Sequence, residues 1–297
     1  MKYFTFVTKL GCEFKRSAQF NSEDMAVKNF QGKLAVVTGA GSGIGRATAI
    51  ALAAEGATVA VTDIDPHSAQ ETVDTILAAG QDGRAFQLDV SDQEQIGQVA
   101  ADIRQALGTP SVLVNNAGIA VGGYFLDTSP ESWERIISIN LMGVVHCCRA
   151  FVPGMVTAGQ PGHVVNIASM LGYMQSRGVS AYCATKFGVV GFSECLRAEL
   201  RDHGIGVTAI CPGMIRTNII GSGVLESTQE DVEEKRKQIE AIYQKRNYPP
   251  EKVARAIIKS IRKNRAVLPV ASEAWLAYYL KRWAPWMVAR MARREFV

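Results

Sequence analysis

The chain has 297 residues, 47% of them hydrophobic and 20% charged, so it can bury a substantial core without disulfide or metal staples. A net charge of +4 is too small to require a nucleic-acid partner. The six cysteines, at 12, 147, 148, 183, 195 and 211, form no Cys-x-x-Cys pair and, with the scattered histidines, no metal-ligand spacing; they read as reduced thiols in a cytosolic protein, with no metal expected.

Residues 1–30 precede the first clear strand and read as an N-terminal extension, with Met1 and Met25 both candidate starts. Their apolar run, 3–7, is too short for a secretory signal and is followed closely by Lys9, Glu13, Lys15 and Arg16. No uncharged apolar run reaches the length a bilayer requires, so no transmembrane helix is expected. From Lys33 the chain alternates strand and helix. Residues 34–38 read as a buried strand, 44–55 as an Ala-rich helix and 58–62 as a β-branched strand. Asp65-Pro66 reads as an N-cap followed by proline at the first helical position, opening a helix to about 79. Strands at 84–88 and 112–114 flank a helix over about 92–106. One long helix is predicted from Pro130 to about Phe151, stopping before Pro153. A strand at 163–168, a helix at 180–203 and a strand at 207–211 follow. Such βαβ repetition predicts a doubly wound parallel sheet of the Rossmann type, with about seven strands and helices on both faces. The single domain spans 31–270; residues 214–250 break the pattern, carry a charged helical stretch at 229–247, and suit a lid over a site.

The first strand runs into Thr38-Gly39-Ala40-Gly41-Ser42-Gly43-Ile44-Gly45 and then a helix. Glycine permits the tight turn and close approach of a pyrophosphate, and the helix N-terminus offers N–H groups and a positive dipole end to phosphate. A purely structural glycine turn is the rival reading; the strand-turn-helix context favours nucleotide binding. Asp63, 18 residues beyond Gly45, ends the second strand, where an acid accepts hydrogen bonds from the adenosine ribose and repels a 2′-phosphate. The alternative is a turn-forming aspartate, a role for which Asp65 is better placed.

The spacing Gly39-x-x-x-Gly43-x-Gly45 resembles the short-chain dehydrogenase/reductase family. So do Asn115-Asn116-Ala117-Gly118 after the fourth strand, Ser169 at the end of the fifth, Tyr182-x-x-x-Lys186 thirteen residues beyond that serine, and Pro212-Gly213 with Thr217 after the sixth. The resemblance covers roughly 32–270. It implies an oxidoreductase moving a hydride between a nicotinamide cofactor and an alcohol or carbonyl carbon. Tyr182 is then the general acid/base, Lys186 lowers its pKa and binds the nicotinamide ribose, and Ser169 binds the substrate oxygen. Asn140 matches the asparagine that holds a water linking the lysine to solvent; an ordinary helix polar residue is its rival reading. Asn116, Ala117, Gly118, Pro212, Gly213, Ile215 and Thr217 join Ser42, Ile44 and the glycines in cofactor binding. Asp89-Val90 match the adenine contact, with helix capping as the rival reading for Asp89. Family members that prefer NADP often carry a basic residue at position 42 or just after 63; Ser42 and Ile64 here favour NAD. A homodimer or homotetramer is implied. The alternative function is a nucleotide-sensing scaffold of the same fold without turnover.

Independently of that resemblance, a free tyrosine titrates near ~10, and a lysine four residues on along a helix places a positive charge beside it. Met170, Leu171, Gly172, Tyr173 and Met174 after the serine, with Ala120, Val121, Tyr124 and Phe125, predict an apolar pocket for a lipophilic alcohol or ketone of steroid, retinoid or fatty-chain type. The tail, 271–297, carries Trp275, Tyr279, Trp283 and Trp286 on one helical face, with Lys281, Arg282, Arg290, Arg293 and Arg294. That pattern suits peripheral contact with a membrane surface, or packing on protein, with Pro285 dividing the helix.

Overall fold

The structure, a computed structural model, describes residues 26–227 and 231–292. The first half winds β1 (Leu34–Thr38), α1 (Gly43–Ala54), β2 (Thr58–Asp63), α2 (Pro66–Ala78), β3 (Gly83–Gln87), α3 (Gln93–Leu107) and β4 (Val112–Asn115). After the short β5 (Val121–Gly122) come α4 (Pro130–Ile137), one π-helical turn (Ser138–Met142) and α5 (Gly143–Ala158). The second half continues with β6 (Gly162–Ile167), α6 (Ser180–Leu200), β7 (Ile205–Pro212), the short β8 (Val224–Leu225), α7 (Val232–Arg246), α8 (Pro250–Arg262), β9 (Val267–Val270), α9 (Ser272–Trp283) and α10 (Pro285–Met291).

Seven strands form one parallel sheet in the order β3-β2-β1-β4-β6-β7-β9, while β5 and β8 pair separately. Every residue of β1, β4, β6 and β7 is buried, as a sheet covered on both faces requires, and the apolar runs in the sequence follow from this. The chain winds outward from β1 to β3, then crosses back to β4, so the winding reverses between β1 and β4. A crevice opens there at the carboxyl ends, where open α/β sheets bind ligands.

Three sequence expectations change. The helix expected to stop before Pro153 continues through it to Ala158. Pro153 lies on the exposed side, where water can take up the carbonyl it leaves unbonded, while Phe151, Val152 and Met155 anchor the buried side. The stretch Pro130–Ala158 is long and apolar enough to cross a bilayer by length and composition, yet this face of α5 packs into the core. Both proposed extensions also reach into the domain. Val27 and Phe30 are buried in the cluster beneath α1 and α8, and Ala274, Ala277 and Val288 belong to the core on the other side of the sheet. The remainder of 1–30 that precedes residue 26 lies outside the described residues, as do Arg293 and Arg294.

Candidate active site

The glycine turn is built for close contact. Gly39 sits at φ 61°, and a Cβ there would lie 2.8 Å from the Ala117 Cα. A Cβ at Gly45 would run into the Gly39 carbonyl, and one at Gly43 would lie 3.1 Å from the Thr217 methyl. The turn is thereby pressed between the loops after β4 and β7. At its end Ser42 is the N-cap of α1 but makes no side-chain cap, and no acid stands in the first turn. The first N–H groups therefore have neither an intrahelical acceptor nor an acid of their own first turn, which suits an anion. A dinucleotide's pyrophosphate fits this cradle.

Asp63 takes the turn-forming role considered for it. Its Oδ2 accepts from the Gly41 N–H at 2.8 Å and its Oδ1 from the Asp65 N–H at 3.1 Å, so the carboxylate ties β2 to the glycine turn. Asp65 caps α2 through the His67 N–H, as its sequence position predicts. Asp89 is not the cap of α3, which is Asp92; it accepts from the Ser91 N–H and hydroxyl. The Val90 side chain is buried against Gly143 of α5.

The segment after β4 is held from three sides. The Thr38 hydroxyl accepts from the N–H groups of Asn116 and Ala117, both at 3.0 Å. The Asn116 amide donates to the carbonyls of Thr38 and Gly39. Asn140, 1% exposed, accepts from the Ile119 N–H at 2.8 Å and donates to the Ile119 carbonyl at 2.9 Å. The π-helical turn carries Asn140 there. A Cβ at Gly118 would fall 3.0 Å from the Asn140 Oδ1 and 3.6 Å from the Lys186 Nζ, so the glycine leaves a gap between amide and ammonium.

Ser169, Tyr182 and Lys186 meet at the carboxyl end of β6. Ser169 accepts from the Leu171 N–H at 3.1 Å, which leaves its own O–H to donate. Lys186 is buried, donates to the Ile167 carbonyl at 3.0 Å, and lies 5.6 Å from the centre of the Tyr182 ring. Burial lowers the Lys186 pKa to about 8, with Cys211 acting in the opposite sense. Burial pushes the Tyr182 phenol above the usual tyrosine range, the Tyr243 phenol adds to this, and a hydrogen bond with Ser169 opposes it. Burial dominates at Tyr182, while the Lys186 ammonium turns toward the Ile167 carbonyl.

A cavity of about 290 Å³ opens over these three residues. Ile44, Asn116, Gly118, Pro212, Gly213, Ile215 and Thr217 reach it, whereas Asp63, Asp89, Val90 and Asn140 stand outside its lining. Of the predicted apolar residues, Ala120, Val121, Tyr124, Met170, Leu171 and Met174 line it. Tyr173 does not: its hydroxyl donates to the Ala274 carbonyl at 2.7 Å and its ring packs edge-on against Tyr278. Phe125 is 69% exposed, beside Trp133. The roof is α7, which contributes Val232, Lys235, Ile239, Ile242 and Tyr243. Apart from Lys235 these are a sparse apolar stripe inside a charged helix, a weak sequence signal for the lining residues. The Tyr124 ring meets two cations, Lys235 of the roof at 5.7 Å and Arg177 at 5.3 Å.

The short chain dehydrogenase family profile matches residues 33–228. The chain belongs to the short-chain dehydrogenase family. It is 43% identical over 271 residues to the probable oxidoreductase EphD of Mycobacterium tuberculosis, a match that takes in 90% of this chain but 46% of that protein, so the chain spans about half the length of this relative. It is 39% identical over 192 residues to the (3R)-3-hydroxyacyl-CoA dehydrogenase of Mus musculus, covering 62% of this chain and 74% of that protein. A short-chain dehydrogenase/reductase from Burkholderia phymatum, solved in complex with NAD, superimposes with a TM-score of 0.81 at 28% identity, over 87% of this chain and 96% of that one.

Proposed function

We propose that this enzyme interconverts a lipophilic alcohol and its ketone, of steroid, retinoid or fatty-chain type, with NAD preferred to NADP. The observation that carries the reading is the apolar cavity roofed by α7 directly over Ser169 and Tyr182. When bound, the nicotinamide gives or accepts the hydride. Tyr182 holds the proton exchanged with the substrate oxygen. The Ser169 O–H donates to the same oxygen. Lys186 supplies the positive charge that favours the phenolate when the proton leaves. Asn140 positions Gly118 and the space beside Lys186. Gly39, Ser42, Gly43, Ile44 and Gly45 receive the pyrophosphate, Asp63 the adenosine ribose, Asp89-Val90 the adenine, and Asn116, Ala117, Gly118 and Pro212–Thr217 the nicotinamide half. The acyl substrate in the name of the mouse relative is consistent with a fatty-chain compound here.

The test follows NADH absorbance with 3-hydroxyacyl, sterol and retinoid alcohols against sugars. Within a homologous series kcat/KM should rise up to about fourfold per added methylene until the cavity is filled, from ~0.8 kcal/mol per buried CH₂. Tyr182→Phe should lower turnover by at least ~10² while NADH still binds. Preference for sugars, or near-normal turnover in Tyr182→Phe, would sink the reading; NADH binding without turnover of any alcohol would favour the scaffold instead.

We also infer that the tail contacts an anionic membrane surface and that the chain is a homodimer or homotetramer. Trp283 and Trp286 are 84% and 69% exposed, beside Lys281, Arg282 and Arg290, while Ala274, Ala277 and Val288 face the core. Ile137, Met142 and Phe187 form exposed apolar positions on the α4–α5 and α6 side, the face offered to a second copy. Flotation with anionic liposomes should weaken at high salt and be lost in Trp283→Ala/Trp286→Ala. Undiminished flotation of that variant would remove the tail from membrane contact, and a change in its oligomeric mass would make the aromatic face a subunit contact.

A further inference from the structure

The tail also reaches the active site from the opposite side to its tryptophans. Ala271, the N-cap of α9, holds φ 86° and ψ 156°, a strained backbone for a residue with a Cβ. Such strain persists only where the surroundings enforce it. The next two residues show what is enforced. The Glu273 Oε1 accepts from the Met214 N–H at 3.0 Å, within the loop that follows β7. Its Oε2 pairs with Arg246, the last residue of α7, at 2.9 Å. The Ser272 hydroxyl donates to the same carboxylate at 3.3 Å. Gly213 carries no side chain where one would collide with this carboxylate. Burial disfavours the Glu273 charge, but Arg246 and the Met214 N–H outweigh it and hold the carboxyl below its usual range.

One carboxylate thus binds two elements that line the cavity from different sides. The Pro212–Thr217 loop forms its cofactor end, and α7 forms its roof. Tyr243, one turn before Arg246, lies in the roof, and its phenol acts on Tyr182. We propose that Glu273 is a positioning residue that couples the α7 roof to the Pro212–Thr217 loop, so that substrate and cofactor sites are set together by the C-terminal segment. This rests on the oxidoreductase reading above, and it assigns a role to a residue beyond 33–228, the span matched by the family profile.

The two oxygens can be separated. Glu273→Gln keeps an oxygen for the Met214 N–H but loses the charge for Arg246. It should raise the substrate KM about three- to tenfold with kcat and the NADH Kd within about twofold of wild type. Arg246→Met should do the same, and the double variant should be no worse than either single one, since both remove one interaction. Glu273→Ala should in addition raise the NADH Kd about three- to tenfold, because the Met214 N–H loses its acceptor. Trypsin should cut at Lys237 and Lys245 of α7 faster in Glu273→Gln than in wild type, with NADH bound. Should Glu273→Ala not fold, Glu273→Gln, Arg246→Met and the protease measurement decide the matter. Unchanged KM in both of these variants, additive effects in the double variant, or unchanged cleavage of α7 would overturn the coupling. If the wild type turned over no alcohol, the substrate reading would fall, whereas NADH affinity and cleavage would still report on the clasp.

Discussion

Asn140→Ala isolates the part of the site that is made of hydrogen bonds alone. The side chain is 1% exposed, and it satisfies both the N–H and the carbonyl of Ile119 while donating a longer bond to the Thr185 hydroxyl at 3.4 Å. Truncation leaves two backbone groups and one hydroxyl without this partner. A buried group left unsatisfied costs about 1–3 kcal/mol. Ile119 is only half-buried, so water recovers part of that, and a net loss of about 1–3 kcal/mol is expected. This is a large fraction of the ~5–15 kcal/mol that holds a domain together. Urea melts should show a lower midpoint at unchanged m, and kcat/KM should fall by at least about tenfold as the Asn116–Gly118 segment shifts from Lys186. Asn140→Asp separates stability from electrostatics. It keeps the acceptor for the Ile119 N–H but turns a carboxylate toward the Ile119 carbonyl and across the Gly118 gap toward Lys186. Its negative charge favours the lysine's charged form, so the Lys186 inflection should move upward from about 8. If Asn140→Ala melted within ~0.5 kcal/mol of wild type and turned over normally, the clamp would be irrelevant.

Two further outcomes follow from the charges. The Lys186 pKa in the native chain, about 8, lies below its ordinary 10.5, so between these values the unfolded state binds more protons and stability rises with pH. Stability of wild type relative to Lys186→Met should therefore increase from pH 8 upward in urea melts, the comparison cancelling buried Cys148, whose raised value acts oppositely above about 9; a flat or falling difference would contradict it. Asp63→Ala should lower kcat/KM for NAD and narrow its advantage over NADP, while also releasing the Gly41 N–H; a wild-type preference for NADP would refute the reading of the β2 end.

The parallel sheet and the glycine turn were legible because both rest on local rules. Buried strands demand unbroken apolar runs, and the turn demands glycine where a Cβ would strike the Gly39 carbonyl or Ala117. The Ser169, Tyr182 and Lys186 positions were legible through the family resemblance their spacing carries, since a Tyr-x-x-x-Lys pair alone is common on helices. Asp63 was legible as an acid at a strand end, but its bond to the Gly41 N–H was not, since that contact joins residues 22 apart in sequence. Pro153 misled because helix termination by proline is a local rule, and burial of Phe151, Val152 and Met155 overrode it.

The roof and the tail show a different limit. Val232, Ile239, Ile242 and Tyr243 are few among the charges of α7, so the helix reads as solvated until a cavity lies beneath it. The tail's tryptophans drew attention to the exposed face of α9, yet the residues that join it to the site are an alanine, a glutamate and a tyrosine phenol. Tyr173 follows the catalytic turn but points away from the cavity, and its hydroxyl instead binds the Ala274 carbonyl 101 residues later. Deleting 272–297 would therefore strip Tyr173 of its partner, expose the core beside Ala274 and release both bonds of Glu273. Loss of activity in such a truncation would not isolate membrane contact, whereas substitution of the outward-facing Trp283 and Trp286 leaves the inner contacts of α9 in place.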